Sequence, residues 1–235
     1  MTTLAILTAA GSGARLGRDL PKALVDLGGF PLVLHAARRL AGSGVVDALI
    51  VTAPGGLRDV VAELLTADAY VTVPVTVVDG GPTRQASVAA GLAAAGAGHD
   101  VVLVHDAARP LVPEDLVRRV VAAVRAGHDA VVPGLPVTDT VKQVVPGDGA
   151  ELVLGTPDRA VLRAVQTPQG FTRELLERAH KAGEGRSGSE LAAATDDAGL
   201  VEALGEPVHI VRGDAAAAKI TTERDLRVAA LELED

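Results

Sequence analysis

Short apolar runs alternate with amphipathic stretches through the first half of the chain. Leu4-Ala5-Ile6-Leu7-Thr8, Ala48-Leu49-Ile50-Val51-Thr52, Val75-Thr76-Val77-Val78 and Val101-Val102-Leu103-Val104 are almost wholly apolar. Such runs read as strands buried on both faces, the pattern of a parallel sheet. Between them, Leu32 to Leu40, Leu57 to Leu65 and Ser87 to Ala95 have helical spacing with breakers on either side. Another helix is predicted from Pro113, a residue suited to a first helical turn, to about Ala126, and a further strand at Ala130-Val131-Val132. Repeated strand–helix–strand units imply right-handed crossovers and a three-layer α/β sandwich with a mostly parallel sheet.

The alternation breaks from Val137 to about Val165. Two β-rich runs, Asp139 to Val145 and Glu151 to Leu154, flank a Pro146-Gly147-Asp148-Gly149 turn. They predict a hairpin or arm projecting from the sheet at about residues 137–160. Helical spacing returns at Arg173 to Ala182, and the Gly/Ser-rich stretch Gly183 to Ser189 reads as a loop. Leu200 to Leu204 closes a helix, Val208 to Val211 is a late strand, and Glu223 to Leu233 is a further helix. With no internal repeat, residues 1–235 are expected to form one domain.

Composition narrows the picture. The chain has 48% apolar residues but only two Phe, one Tyr and no Trp, so its core must be aliphatic. Scarce aromatics and a net charge of -8 argue against a general nucleic-acid or membrane-surface binder. They do not exclude small polyanions, because exposed charges are largely screened beyond about 8–10 Å. The absence of cysteine excludes disulfides, thiolate catalysis and a Cys-based zinc site, and His35, His99, His128, His180 and His209 lack metal-ligand spacing and read as surface or helix-packing residues. No apolar run reaches the roughly 18 residues of a membrane span, and a soluble cytoplasmic protein is expected.

The candidate chemistry begins after the first strand. Ala9-Ala10-Gly11-Ser12-Gly13-Ala14-Arg15-Leu16-Gly17 runs on to Pro21-Lys22. A Gly-rich turn after a buried strand lets backbone N–H groups approach phosphate oxygens. The dinucleotide fingerprint requires glycine where Leu16 stands, and an acid at the second strand end, where the chain has Thr52-Ala53-Pro54. The Gly-Lys-Ser/Thr of a P-loop is also missing. What remains is a small, flexible loop carrying Arg15, a planar fork for phosphate oxygens, and Lys22, a compact point charge. It lies at the carboxyl end of a strand, where open parallel sheets bind ligands. His105-Asp106-Ala107-Ala108-Arg109-Pro110, taken alone, reads as a strand-end turn closed by an Asp106–Arg109 pair.

These blocks together resemble the 2-C-methyl-D-erythritol 4-phosphate cytidylyltransferase family nearly end to end. The resemblance also takes in Asp79-Gly80-Gly81 with Arg84 and Ser87-Val88, Asp139-Thr140-x-Lys142, Asp158-Arg159, Gln166-Thr167-Pro168-Gln169-Gly170-Phe171, Thr195-Asp196-Asp197-Ala198 and Lys219-Ile220-Thr221. It implies a Rossmann-like sandwich of the nucleotide-diphosphosugar transferase type, whose arm exchanges between two protomers of a homodimer. The implied reaction joins CTP to methylerythritol phosphate, releasing pyrophosphate with Mg²⁺ assistance.

By resemblance, Arg15, Lys22, Arg159 and Lys219 are the catalytic candidates. Ala9, Ala10, Gly11, Gly13, Arg15, Lys22, Gly80, Gly81, Ser87 and Asp106 would bind the nucleotide. Asp106, Arg109, Thr140, Arg159, Thr167 and Lys219 would bind the acceptor, with Thr140 and Arg159 serving the partner's site and Asp106 the candidate carboxylate near the metal. Two departures stand out: Pro82-Thr83 replaces an acidic position, and Ala218 precedes the lysine where a polar residue is common. The nearest alternative is a ribitol-5-phosphate cytidylyltransferase. A sugar-1-phosphate nucleotidyltransferase, a dinucleotide-dependent oxidoreductase and a non-catalytic nucleotide sensor fit less well.

Overall fold

A computed structural model of the chain describes residues 1–11, 20–186, 188 and 194–234. Strand β1 (Thr3–Thr8) leads to a small ribbon, β2 (Asp26–Leu27) and β3 (Phe30–Pro31), and then α1 (Leu32–Gly42). There follow β4 (Ala48–Ala53), α2 (Arg58–Thr66), β5 (Val75–Asp79), α3 (Arg84–Ala94), β6 (Val101–Asp106), α4 (Glu114–Arg125) and β7 (Ala130–Pro136). The arm is β8 (Gln143–Val145) and β9 (Leu152–Gly155). The chain re-enters the sheet at β10 (Arg163–Val165) and β11 (Gln169–Thr172), then forms α5 (Arg173–Ala182), α6 (Asp197–Ala203), β12 (His209–Arg212) and α7 (Glu223–Glu234).

The main sheet has eight strands in the order β10-β7-β11-β6-β1-β4-β5, with β12 paired to β7. Pairs β1–β4, β1–β6 and β4–β5 are parallel, as the apolar runs predict, and so is β7–β12. Alternate residues of the central strands face two different cores. Ala5, Leu7, Leu49, Val51, Val101 and Leu103 pack with α1, α2 and α4. Leu4, Ile6, Ile50, Val102 and Val104 pack with α3, α5 and α6. This is the expected three-layer sandwich. No described helix is long and apolar enough to cross a membrane.

Several expectations need correction. Strand β5 is not buried on both faces: it is the sheet edge, and its residues are half-buried or exposed. Helix α3 begins at Arg84 rather than Ser87, because Thr83 caps it by accepting from the Ala86 N–H at 3.0 Å. The loop from Gly183 contains a short 3-10 turn, Glu184–Arg186. Strands β10 and β11 were not expected, and both run antiparallel to β7. β11 sits between β7 and β6, and Gly170 makes that possible, since a β-carbon there would run into Val120 and Val124 of α4.

Candidate active site

A cavity of about 570 Å³ opens beyond the carboxyl ends of β1 and β6. Its volume is ample for a nucleotide-sized ligand. One wall is the chain leaving β1, where Ala9, Ala10 and Gly11 line the space. Ala9 prolongs the strand pairing through its N–H to the Thr52 carbonyl at 3.0 Å. The loop re-enters the described residues at Leu20, and Lys22, which lines the cavity, opens a 3-10 helix, Lys22–Leu24. Gly13 and Arg15 lie outside the described residues.

The opposite wall is the β5–α3 turn. Gly80 is held by its N–H to the Ala53 carbonyl at 2.8 Å, and a β-carbon on it would overlap the β-carbon of Ala10. Only glycine lets the two strand ends come together there. Gly81 is equally confined against Ala86 and donates its N–H to Ser87 Oγ at 3.1 Å. That hydroxyl donates onward to the Thr83 carbonyl at 2.9 Å, so Ser87 both lines the cavity and ties the turn.

The floor carries the charge. Asp106, at the end of β6, is 7% exposed. Its Oδ1 accepts from Arg84 Nε at 3.0 Å and its Oδ2 from Lys219 Nζ at 2.7 Å. Burial alone would raise its pKa, but the two cations outweigh burial and hold the carboxyl well below the usual carboxylate range. The expected Asp106–Arg109 side-chain pair does not form. Arg109 instead donates Nη1 to the Ala217 carbonyl at 2.7 Å and Nη2 to the Val165 carbonyl at 3.3 Å. It is buried and joins the turn bearing Lys219 to the root of the arm, and it is not among the described wall residues.

Lys219 follows a 3-10 turn, Ala215–Ala217, capped by Asp214, whose side chain accepts from the Ala216 N–H at 3.0 Å. Gln166 Nε2 donates to the Asp214 carbonyl at 2.7 Å, and the Ile220 N–H to the Ala108 carbonyl at 2.8 Å. Main-chain anchoring on both sides therefore holds the lysine although Ala218 offers no polar side chain.

Behind the floor, Thr167 Oγ1 accepts from the Asp106 N–H at 3.1 Å and lies 2.9 Å from His105 Nδ1. The Arg109 carbonyl, 3.1 Å from Nε2, can only accept, so Nε2 carries the proton of the neutral ring and the hydroxyl donates to Nδ1. Burial pushes the His105 pKa down to about 4, which keeps the ring neutral. Thr140 and Arg159 lie on the arm rather than on the wall, and Arg159 Nη1 donates to the Thr138 carbonyl. Among the described residues no cluster of three His, Cys, Asp or Glu side chains has metal-site geometry.

Two functional candidates were not singled out by sequence reasoning. The sequence places Arg84 beside Ser87 but gives no sign that it is the second cation on Asp106. His180, expected to be a surface or packing residue, is buried and bonded to Asp197. Neither pairing has a short-range signal in the chain.

The chain is similar to known proteins along nearly its whole length. The family model described as 2-C-methyl-D-erythritol 4-phosphate cytidylyltransferase matches residues 3–235. A protein of that name from Nocardia farcinica is 53% identical over 229 residues, covering 97% of this chain and 92% of its own. Among solved structures, a 4-diphosphocytidyl-2C-methyl-D-erythritol synthase from Anaerococcus prevotii superimposes with TM-score 0.83 at 29% identity, covering 100% of this chain and 99% of its own. The Thermus thermophilus cytidylyltransferase gives TM-score 0.75 at 37% identity, with 98% of both chains covered. The chain belongs to the 2-C-methyl-D-erythritol 4-phosphate cytidylyltransferase family.

Proposed function

We propose that the protein transfers a cytidylyl group from CTP to 2-C-methyl-D-erythritol 4-phosphate, giving 4-diphosphocytidyl-2-C-methyl-D-erythritol and pyrophosphate for isoprenoid precursor synthesis. The observation that carries this is a cavity with Lys22, Arg84 and Lys219 on its wall in a chain of net charge -8. Two anions must meet in this reaction, the acceptor phosphate and the α-phosphoryl group of CTP. Positioning and cations matter more than a strong base, because the attacking phosphate is already ionised near neutral pH.

Ala9, Ala10, Gly11 and the Gly80-Gly81 turn would receive the nucleotide, and Arg15 and Lys22 its phosphates. Asp106 would accept hydroxyls of the substrates, and Lys219 would orient the acceptor phosphate. Arg109 supports this arrangement by holding the Lys219 turn through Ala217. Asp106 is the one carboxylate among the described wall residues, and both its oxygens already accept from cations. With both carboxylate oxygens engaged, the ion would arrive on the phosphate oxygens of the nucleotide, with Asp106 nearby rather than as its holder, a manner open to Mg²⁺. Mg²⁺ would share the negative charge of the phosphoryl groups.

We further infer a cytoplasmic homodimer of single-domain subunits, joined through the arm. Leu152 and Val161 are 68% and 77% exposed, and an isolated two-stranded hairpin is marginal in water, so the arm gains from a partner surface. Thr140 and Arg159 would then serve the neighbouring site. The test is pyrophosphate release from CTP across a panel of polyol phosphates. Release with methylerythritol phosphate alone is expected, whereas release with ribitol 5-phosphate instead would overturn the acceptor assignment.

A further inference from the structure

The ion pairs that begin at the cavity floor continue past it. Arg84 reaches sideways along the sheet end from the first turn of α3. While its Nε donates to Asp106, its Nη1 donates to Asp197 Oδ2 at 2.6 Å. Both donors belong to one rigid planar fork, so the carboxylate that holds Nη1 also sets the direction of Nε. Asp197 is 1% exposed, and its other oxygen lies 2.8 Å from His180 Nε2 on α5. A carboxylate held ionised accepts only, so the ring donates. His180 Nδ1 is buried with no partner among the described residues, which leaves the bond to Asp197 as the one that orients the ring.

We propose that Asp197 and His180 are positioning residues of the transfer site, acting through Arg84 on Asp106 and Lys219. This rests on the reading of the cavity given above. The chain Lys219–Asp106–Arg84–Asp197–His180 shares two carboxylates among two cations and an imidazole. If Arg84 were released, Lys219 would remain the sole close counter-charge to a buried carboxylate. It would be drawn to Asp106 and less available to a phosphate.

Helices α5 and α6 have anchors of their own besides the pair. Helix α6 is capped by Asp196, which accepts from the Gly199 N–H at 3.0 Å. It is clamped again by Gln169, whose Nε2 donates to Asp196 at 2.8 Å and whose Oε1 accepts from the Ala198 N–H at 3.2 Å. Helix α5 is docked by Leu175, Leu176 and Ala179. A buried ion pair is poor support for stability, because its desolvation cost offsets its attraction.

The test compares Asp197→Asn, His180→Leu and His180→Gln with the parent enzyme, at a temperature where circular dichroism shows every variant folded. Glutamine can present an N–H close to the position of Nε2, whereas leucine cannot. Asp197→Asn and His180→Leu are expected to lose about 10–100-fold in kcat, the usual effect of removing a partner that orients a site residue. His180→Gln should recover most of that loss. The Arg84 Nε–Hε resonance reports the arrangement without substrate: it should be preserved in His180→Gln and shifted or broadened in His180→Leu and Asp197→Asn. An unchanged kcat and resonance in His180→Leu, or equal losses in the leucine and glutamine variants, would overturn the proposal. Should Asp197→Asn not fold, the two His180 variants decide alone. A parent enzyme that transfers no cytidylyl group sinks the functional reading instead, and the resonance still decides the positioning.

Discussion

The Thr167 hydroxyl stands 2.9 Å from His105 Nδ1 and accepts from the Asp106 N–H, so one side chain ties a buried neutral imidazole to the main chain of Asp106. Thr167→Val keeps the shape but leaves the Asp106 N–H and His105 Nδ1 without partners. A loss of about 1–3 kcal/mol in stability is expected. In a chain of this size that is a fall of several degrees in melting temperature, about 2–4 °C per kcal/mol.

The same imidazole makes stability depend on pH. His105 ionises near about 4 in the folded protein, against about 6.5 in an unfolded chain. As pH falls from 7 towards 4 the unfolded state binds the proton first, so folding weakens by up to about 3 kcal/mol. Asp106 and Asp197, both depressed when folded, keep their contribution above about pH 4 and lose it only below. Melting curves across this range should therefore slope between pH 7 and 4, and a folded His105→Gln variant should be shallower, keeping only the part due to His35, whose pKa burial also lowers. Equal slopes in the two proteins would contradict the assignment.

Lys219→Ala removes one of the two cations on Asp106, while Arg84 still balances the carboxylate. The variant is expected to fold and to lose about 10²–10³ in kcat. Lys22→Ala should behave alike. Near-normal pyrophosphate release from either purified variant would remove that residue from the proposed mechanism.

Gly80→Ala places a methyl group well inside contact distance of the Ala10 β-carbon. The two strand ends must part, at a cost of about 1–3 kcal/mol, and the nucleotide wall moves with them. Calorimetry should register weaker CTP binding together with the lower melting temperature. A variant with unaltered CTP affinity would show that this turn does not meet the nucleotide.

If the arm serves the neighbouring subunit, Lys22→Ala and Arg159→Ala disable different contributors to one site. Mixed and re-associated dimers should then recover about one quarter of parent activity, since half are hybrids with one intact site each. No recovery in demonstrably mixed dimers would confine each site to a single chain.

Much of the frame was legible because long, strongly patterned segments report their own burial. β1, β4, β6 and α1 lie within a residue or two of where their apolar spacing predicts. β10 and β11 were not legible: they are three and four residues long, and β11 is defined by its antiparallel neighbours rather than by any alternation of its own. The site divides in the same way. Gly80, Gly81 and Asp106 stand at strand ends, where chain position alone flags them. The partners of Asp106 come from residues 22 and 113 positions away, and Asp197 meets Arg84 across 113 positions. No local pattern encodes such pairings, and the tempting local one, Asp106 with Arg109, loses to them.

Lys219 also has a consequence for how the enzyme comes into being. Domains emerge from the ribosome N-terminal part first. β1, β4, β5 and β6 can assemble with their helices while β12 and the lysine turn are still unmade. A nascent chain at that stage would have the Gly80-Gly81 turn and the Asp106 carboxylate but not its second cation, and on the proposed roles it would hold a nucleotide without transferring it. On the proposed roles, transfer would require this late segment to be docked on Arg109 and Ala108, so the appearance of activity would report its docking.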